Sequence, residues 1–269
     1  MTLRERFTRK LNDRVSPRRK TLRSRKLRSR RNQLSPSPSP TQPYLSYYDI
    51  LLTYEDIRAL KSDWLTDNNI AFWEEFLERE VLVKYPQARI ILLRPSMTFL
   101  LMKNKDTEMV RSALPDFRGI THIFLPINDA RNPSVAEAGS HWSLLVVSLI
   151  DGVAFHYDSL DGINNREAWE ASKRLSSVLN LTLRFHCLAD SPQQENGSDC
   201  GVFVCIVMRH LLIKRLLSVN AGDKVSMSMA QKAIDSYGAR KEMLKIIENL
   251  RKEGERRRLT PSNTPPRIE

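Results

Sequence analysis

The sequence predicts an α+β fold in which helices flank a central mixed sheet. Three observations lead there. Strand-like segments fall together in the middle of the 269-residue chain, helix-like segments gather on both sides of that block, and one central segment is apolar almost without a break. That segment, "HWSLLVVSLI" at residues 141–150, fits a strand buried on both faces. Hydrophobic residues make up 41% of the chain, enough to bury a sizeable core, and no internal repeat divides it.

Taken in order, residues 1–43 have the composition of a disordered basic and Ser-Pro tail. Residues 1–40 hold 14 Lys+Arg against 2 Asp+Glu, so the tail carries the whole net charge of +12 and the rest is neutral. An ordered domain is expected over 44–250. "TDNNIAFWEEFLERE" (66–80) offers Thr66 or Asp67 as a cap, then Ile70, Trp73 and Leu77 at helical spacing. "RPSMTFLLMK" (94–103) and "DTEMVRSAL" (106–114) read as two shorter helices. Strands follow at "THIFLPI" (121–127), the central run, and "VAFHYDS" (153–159). "REAWEASKRLSSVLN" (166–180) aligns Ala168, Ser172, Leu175 and Leu179 on one helical face, and "LTLRFHCL" (181–188) alternates as a strand. A helix starts near Cys200. The last, "KEMLKIIENLRK" (241–252), carries Met243, Ile246, Ile247 and Leu250 on one stripe, and residues 251–269 are expected to form a frayed C-terminal tail.

Several classes of function are disfavoured. The apolar runs fall far short of the roughly 20 residues of a membrane span, and the charged N-terminus lacks the apolar centre of a secretory signal. A soluble intracellular protein with no membrane partner is expected. Cys187, Cys200 and Cys205 suit a reducing compartment, and no CxxC or HExxH spacing suggests a metal, so no cofactor is expected. The neutral body argues against nucleic acid as a partner, since a basic tail alone supplies salt-sensitive, sequence-blind affinity. The tail's basic clusters fit a nuclear-import signal first, with a nucleic-acid patch or a merely solvated extension as alternatives, and Ser35, Ser37 and Ser39 precede prolines where phosphate would offset the charge.

Chemistry concentrates in "PQQENGSDCGVFVC" (192–205), where polar turn-formers give way to an apolar run at Cys200. The positive end of a helix dipole favours thiolate over thiol, and Gly201 permits close approach to the backbone. Cys187 and Cys205 lie within apolar patterns and read as core. A thiolate nucleophile needs a base, and the base an orienting partner. Of five histidines, His141 stands out, following the flexible "AGS" at what should be the sheet rim. His156 and Asp158 share a face of the next strand, and either could be its partner. A developing oxyanion would take the Cys200 backbone N–H and a carboxamide, with spacing unable to choose between Gln193 and Gln194.

"PQQENGSDCG", "HW" and "HYDS", in the order His, Asp, Gln, Cys, resemble the ubiquitin-like-protein proteases, which include the sentrin (SUMO)-specific proteases and the deneddylases. The resemblance spans about residues 44–250 and implies a papain-like cysteine protease fold with the nucleophile at the N-terminus of a buried helix. It implies Cys200 as nucleophile, His141 as general base, Asp158 as its orienter and Gln194 as oxyanion donor. "DWLTDNNI" is similar to the family's Trp-Leu-x-Asp segment, making Trp64 and Trp142 the walls of a slot that admits a Gly-Gly tail, with Asp67 helping to hold that tail. The insertion "ARNPSVAEAGS" (130–140) before His141 resembles the longer loop of the deneddylase branch. Ser198 departs from the family, which more often has an aromatic there.

The expected activity is a cysteine isopeptidase or peptidase cleaving after the C-terminal Gly-Gly of a Nedd-type ubiquitin-like modifier, in conjugates such as cullins or in the precursor. The rivals are a SUMO- or ubiquitin-specific protease of the same family and an acyltransferase built on the same residues. The import signal and the family suggest nucleus and cytoplasm. Oligomeric state is not indicated by the sequence.

Overall fold

The computed structural model describes residues 38–130, 139–218, 224–257 and 264–269. The basic tail before residue 38 and loop residues 131–138 therefore lie outside the described residues. The main sheet has five strands in the order β3-β4-β5-β6-β7: β3 (Ile90–Leu92), β4 (His122–Asn128), β5 (Trp142–Ser148), β6 (Val153–Tyr157) and β7 (Arg184–Cys187). The two outer pairings are parallel and the two around β5 antiparallel, so the sheet is mixed.

All seven residues of β5 are buried, and the pleat divides them between two cores. Leu144 and Val146 face a core shared with α2 (Asp67–Glu80) and α6 (Cys200–Leu211). Leu145 and Val147 face a second core, closed by α3 (Pro95–Lys103), α4 (Thr107–Ala113) and α5 (Asn165–Leu179). This two-sided burial is why the run alternates so little. At roughly 25 cal/mol per Å2 of apolar surface, each fully buried aliphatic side chain stabilises the fold by about 1.5–3 kcal/mol.

A small sheet, in the order β2-β1-β8, was not apparent in the sequence. Its strands β1 (Pro43–Tyr47) and β2 (Ile50–Thr53) form a hairpin leading into α1 (Tyr54–Ser62). Thr53 and Asp56 form a capping box at the start of α1, and Thr66 and Asn69 do the same for α2.

Two expectations are corrected. The C-terminus is not simply frayed: α7 (Ser236–Arg257) outlasts the expected boundary at 250, and β8 (Arg267–Ile268) pairs parallel with β1. A Cβ on Gly254 would lie 3.0 Å from the Arg267 nitrogen, so the bare helix turn lets the chain end pack there. Cys187 is exposed rather than core, because β7 is an edge strand with only partial cover. Cys205 is buried as expected. Among the described residues no helix is long and apolar enough to cross a membrane, and no group of three or more His, Cys, Asp or Glu could hold a metal.

Candidate active site

Cys200 is the first residue of α6 and is almost wholly buried. The turn before it is organised by Asn196, whose Oδ1 accepts from the backbone N–H groups of Ser198 (2.9 Å) and Asp199 (3.0 Å). Asn196 Nδ2 donates to Asp199 Oδ2 at 2.8 Å. These bonds, and one from Arg240 to the Ser198 carbonyl at 3.0 Å, hold the turn around Ser198. Gly201 has a steric reason: a Cβ there would sit 2.8 Å from Leu65 Cβ. The missing side chain lets the start of α6 press against the segment that carries Trp64.

His141 immediately precedes β5, and Asp158 immediately follows its antiparallel neighbour β6. Adjacent antiparallel strands bring these two ends together, and His141 Nε2 meets Asp158 Oδ1 at 2.6 Å in a buried contact. Asp158 also accepts from the backbone N–H groups of Leu160 (2.9 Å) and Asn164 (2.8 Å). Burial alone would raise its pKa, but these bonds and the imidazole lower it, so the carboxylate stays charged. For His141 burial opposes the imidazolium, yet the hydrogen bond and charge of Asp158, with the neighbouring Cys200, prevail and raise its pKa to about 9. With Nε2 committed to Asp158, Nδ1 is the nitrogen left to serve Cys200; it is buried and has no full hydrogen bond in this geometry. Which nitrogen carries a proton follows from this partnering.

His156 is removed from contention. Its nitrogens are engaged by Ser143 Oγ and Asn165 Oδ1, both at 2.9 Å, which makes it a satisfied core histidine.

Two residues that the sequence did not single out hold the His–Asp pair in place. Asp129 accepts from the backbone N–H of His141 at 2.9 Å and from the Ser140 hydroxyl at 2.6 Å, closing the base of the inserted loop. Asn164, fully buried, donates from Nδ2 to the carbonyls of His141 (3.2 Å) and Ile127 (3.4 Å). Neither sits in a pattern of residue types; their work is done on backbone groups. The one available hint was an acid at the foot of the insertion.

The two glutamines separate clearly. Gln193 Nε2 donates to the carbonyls of Asp158 and Ser191, both at 2.9 Å, and its Oε1 accepts from the Asp161 N–H at 2.8 Å. It braces the loop behind the carboxylate and has no donor left. Gln194 accepts from Ser159 Oγ at 2.7 Å and spends one N–H on the Asn196 carbonyl at 2.7 Å, which leaves one donor uncommitted.

Trp64, Asp67, His141, Trp142 and Cys200 line one cavity of about 120 Å3, together with Asn128 and Gly139. Gln194 is not part of that lining; it lies in the segment that leads into Cys200. The Trp142 indole is buried and donates to the Leu65 carbonyl at 3.1 Å. Trp64 is 47% exposed and donates to the Gly197 carbonyl at 2.7 Å, across the turn that leads to Cys200. Asp67 opens α2 at the cavity mouth; although exposed by area, it is surrounded closely enough that desolvation raises its carboxyl pKa. A buried thiol, an imidazole tied to a charged carboxylate and a small cavity lined by two indoles equip the site for nucleophilic attack on an acyl group.

Known proteins resemble this chain in sequence and in fold. The profile of the Ulp1 protease family, C-terminal catalytic domain, matches residues 63–244. The chain is 37% identical over 215 residues to NEDD8-specific protease 2 of Schizosaccharomyces pombe, which covers 78% of this chain and 51% of that protein. It therefore spans about half the length of that relative. It is 35% identical over 169 residues to NEDD8-specific protease 1 of Arabidopsis thaliana, covering 61% of this chain and 73% of that protein. Among solved structures, the yeast C-terminal Ulp1 protease domain in complex with Smt3, the yeast ortholog of SUMO, superposes with a TM-score of 0.57 at 19% identity. That superposition covers 80% of this chain and 90% of the other, and it speaks for the fold. With a match across about two thirds of its length, the chain belongs to the Ulp1 protease family.

Proposed function

We propose that this chain is a thiol isopeptidase that cleaves after the C-terminal Gly-Gly of a Nedd-type ubiquitin-like modifier, in conjugates and in the modifier's precursor. The observation that carries the reading is the convergence of Cys200 and His141, the latter held by Asp158, on a cavity lined by Trp64 and Trp142. Glycine alone lacks a Cβ, so a small cavity lined by two indoles favours a Gly-Gly tail. The names of the relatives supply the modifier class, and cullins are the conjugates we expect.

In this reading the Cys200 thiolate attacks the terminal glycine carbonyl. The oxyanion is met by the Cys200 backbone N–H and the uncommitted N–H of Gln194. Protonated His141 gives its proton to the departing amine, leaving a thioester on Cys200. Neutral His141 then takes a proton from water, whose oxygen attacks the thioester and releases the modifier as its carboxylic acid, which ionises to solvent, restoring the Cys200 thiolate beside protonated His141. Asp158 keeps the imidazole oriented and stabilises its protonated form. Asp67 holds the tail at the slot mouth. We place the enzyme in nucleus and cytoplasm on the strength of the basic tail.

The test is turnover of a Nedd-type modifier carrying a C-terminal amide-linked extension. Cys200→Ser should reduce kcat by at least ~10³-fold while still binding the modifier, since only the nucleophilic sulfur changes. Retained turnover in the serine variant would remove the proposed mechanism.

A further inference from the structure

We propose that Arg240 is a positioning residue that fixes the nucleophile and one wall of the slot in a single rigid frame. The inference rests on the reading of Cys200 as nucleophile and extends it to a residue of α7, far along the chain.

Arg240 is buried, with 6% of its surface exposed. A guanidinium has five N–H donors, and here each has an acceptor. Nε donates to Asp199 Oδ1 at 2.9 Å. Nη1 donates to the carbonyls of Ala59 (3.0 Å) and Leu60 (3.1 Å), and Nη2 to those of Asp63 (2.8 Å) and Ser198 (3.0 Å). Asp199 also supplies the compensating charge, 2.7 Å from Nη2. Burying a cation is costly unless it is paired and hydrogen-bonded, and this one meets both conditions completely.

Part of this network is an ordinary helix ending. The carbonyls of Ala59 and Leu60 lie in the last turn of α1, where a cation is favoured. That role ends at Asp63. Ser198 and Asp199 belong to the turn that delivers Cys200 to the start of α6, and Asp63 immediately precedes Trp64. The Trp64 indole closes the circuit by donating to Gly197. One planar group therefore sets the relation between slot wall and sulfur, in angle as well as distance. A lysine ammonium offers three donors from a single point and cannot reproduce that fork.

Misplacement of a reacting group by about 1 Å can cost ~10²-fold in rate. The experiment compares the parent with Arg240→Lys, first confirming the fold of each by near-UV circular dichroism. Two quantities are then read: the rate of Cys200 alkylation by iodoacetamide at neutral pH, and kcat and KM on a Nedd-type modifier amide. Folded Arg240→Lys should show alkylation slowed and kcat lowered about tenfold or more, with KM changed less than about threefold. Alkylation and kcat within about twofold of the parent would overturn the proposal, as would a loss confined to KM. If Arg240→Lys does not fold, Asp199→Asn takes its place. It removes the charged link to the turn while leaving the four carbonyl bonds of Arg240, and the same two outcomes decide. A parent inactive on every modifier would defeat the functional reading alone, because alkylation requires no modifier.

Discussion

The imidazole of His141 sits between two groups that favour its charged form, and under the proposed mechanism this sets the pH range in which it can protonate a leaving amine. Its folded-state pKa of about 9 lies above the ordinary 6.5, so the folded state binds the proton more tightly than the unfolded chain. The resulting stability is complete below 6.5 and is lost as pH rises through about 9. We predict an alkaline limb of kcat near pH 9, and a limb moved toward neutrality in Asp158→Asn, which keeps an acceptor but loses the charge. At neutral pH that variant should lose about 10²-fold or more in kcat. A pH–rate profile of both proteins checks this; an unmoved limb would show that another group titrates there. Cys200, His141 and Asp158 were legible because each stands at an element boundary with a distinctive neighbour sequence. Asp129, Asn164 and Arg240 were not, since their partners are mostly backbone groups brought near only by folding.

Between elements, the close approach of α6 to the Leu65 segment is the contact on which the slot depends. Gly201→Ala would place a Cβ 2.8 Å from Leu65 Cβ, a distance that forces one of the two to move. Overpacking of this kind costs about 1–3 kcal/mol, and the displacement falls next to Cys200, the proposed nucleophile. The expected result is a lowered urea midpoint together with a fall in kcat of about tenfold or more. A variant destabilised but fully active would show that the slot tolerates a shift of α6. The strength of the sequence signal followed burial. β5 and α2 announced themselves through a continuous apolar run and a capped amphipathic stripe. β3, with three residues, and β8, with two, are too short to carry a period of any kind. β7 alternates correctly, but alternation does not reveal that a strand lies at the edge, and Cys187 was misread for that reason.

On the scale of the whole molecule, charge and catalysis occupy different parts of the chain. Residues 1–37 contain the entire +12 excess, and the described residues include both cores and the whole candidate site. Deleting 1–37 should leave kcat/KM on a Nedd-type modifier substrate within about threefold, while lowering nuclear accumulation in cells. A large loss of kcat/KM would assign the tail a part in recognition. The family was readable because three short motifs occur together in a fixed order, whereas the Nedd-type preference was readable only through the resemblance of the insertion before His141, since a Gly-Gly slot discriminates poorly among modifiers that share that tail. Discrimination must come from surfaces beyond it, with the insertion before His141 the foremost candidate.

The most direct measurement is covalent capture by a panel of modifiers, Nedd-type, SUMO and ubiquitin, each bearing a C-terminal electrophile, with the adduct mapped by mass spectrometry. Capture of the Nedd-type probe at Cys200 at least about tenfold faster than of the other two is predicted, a preference of about 1.4 kcal/mol. Faster capture of SUMO or ubiquitin, or an adduct on Cys187 or Cys205, would contradict the account.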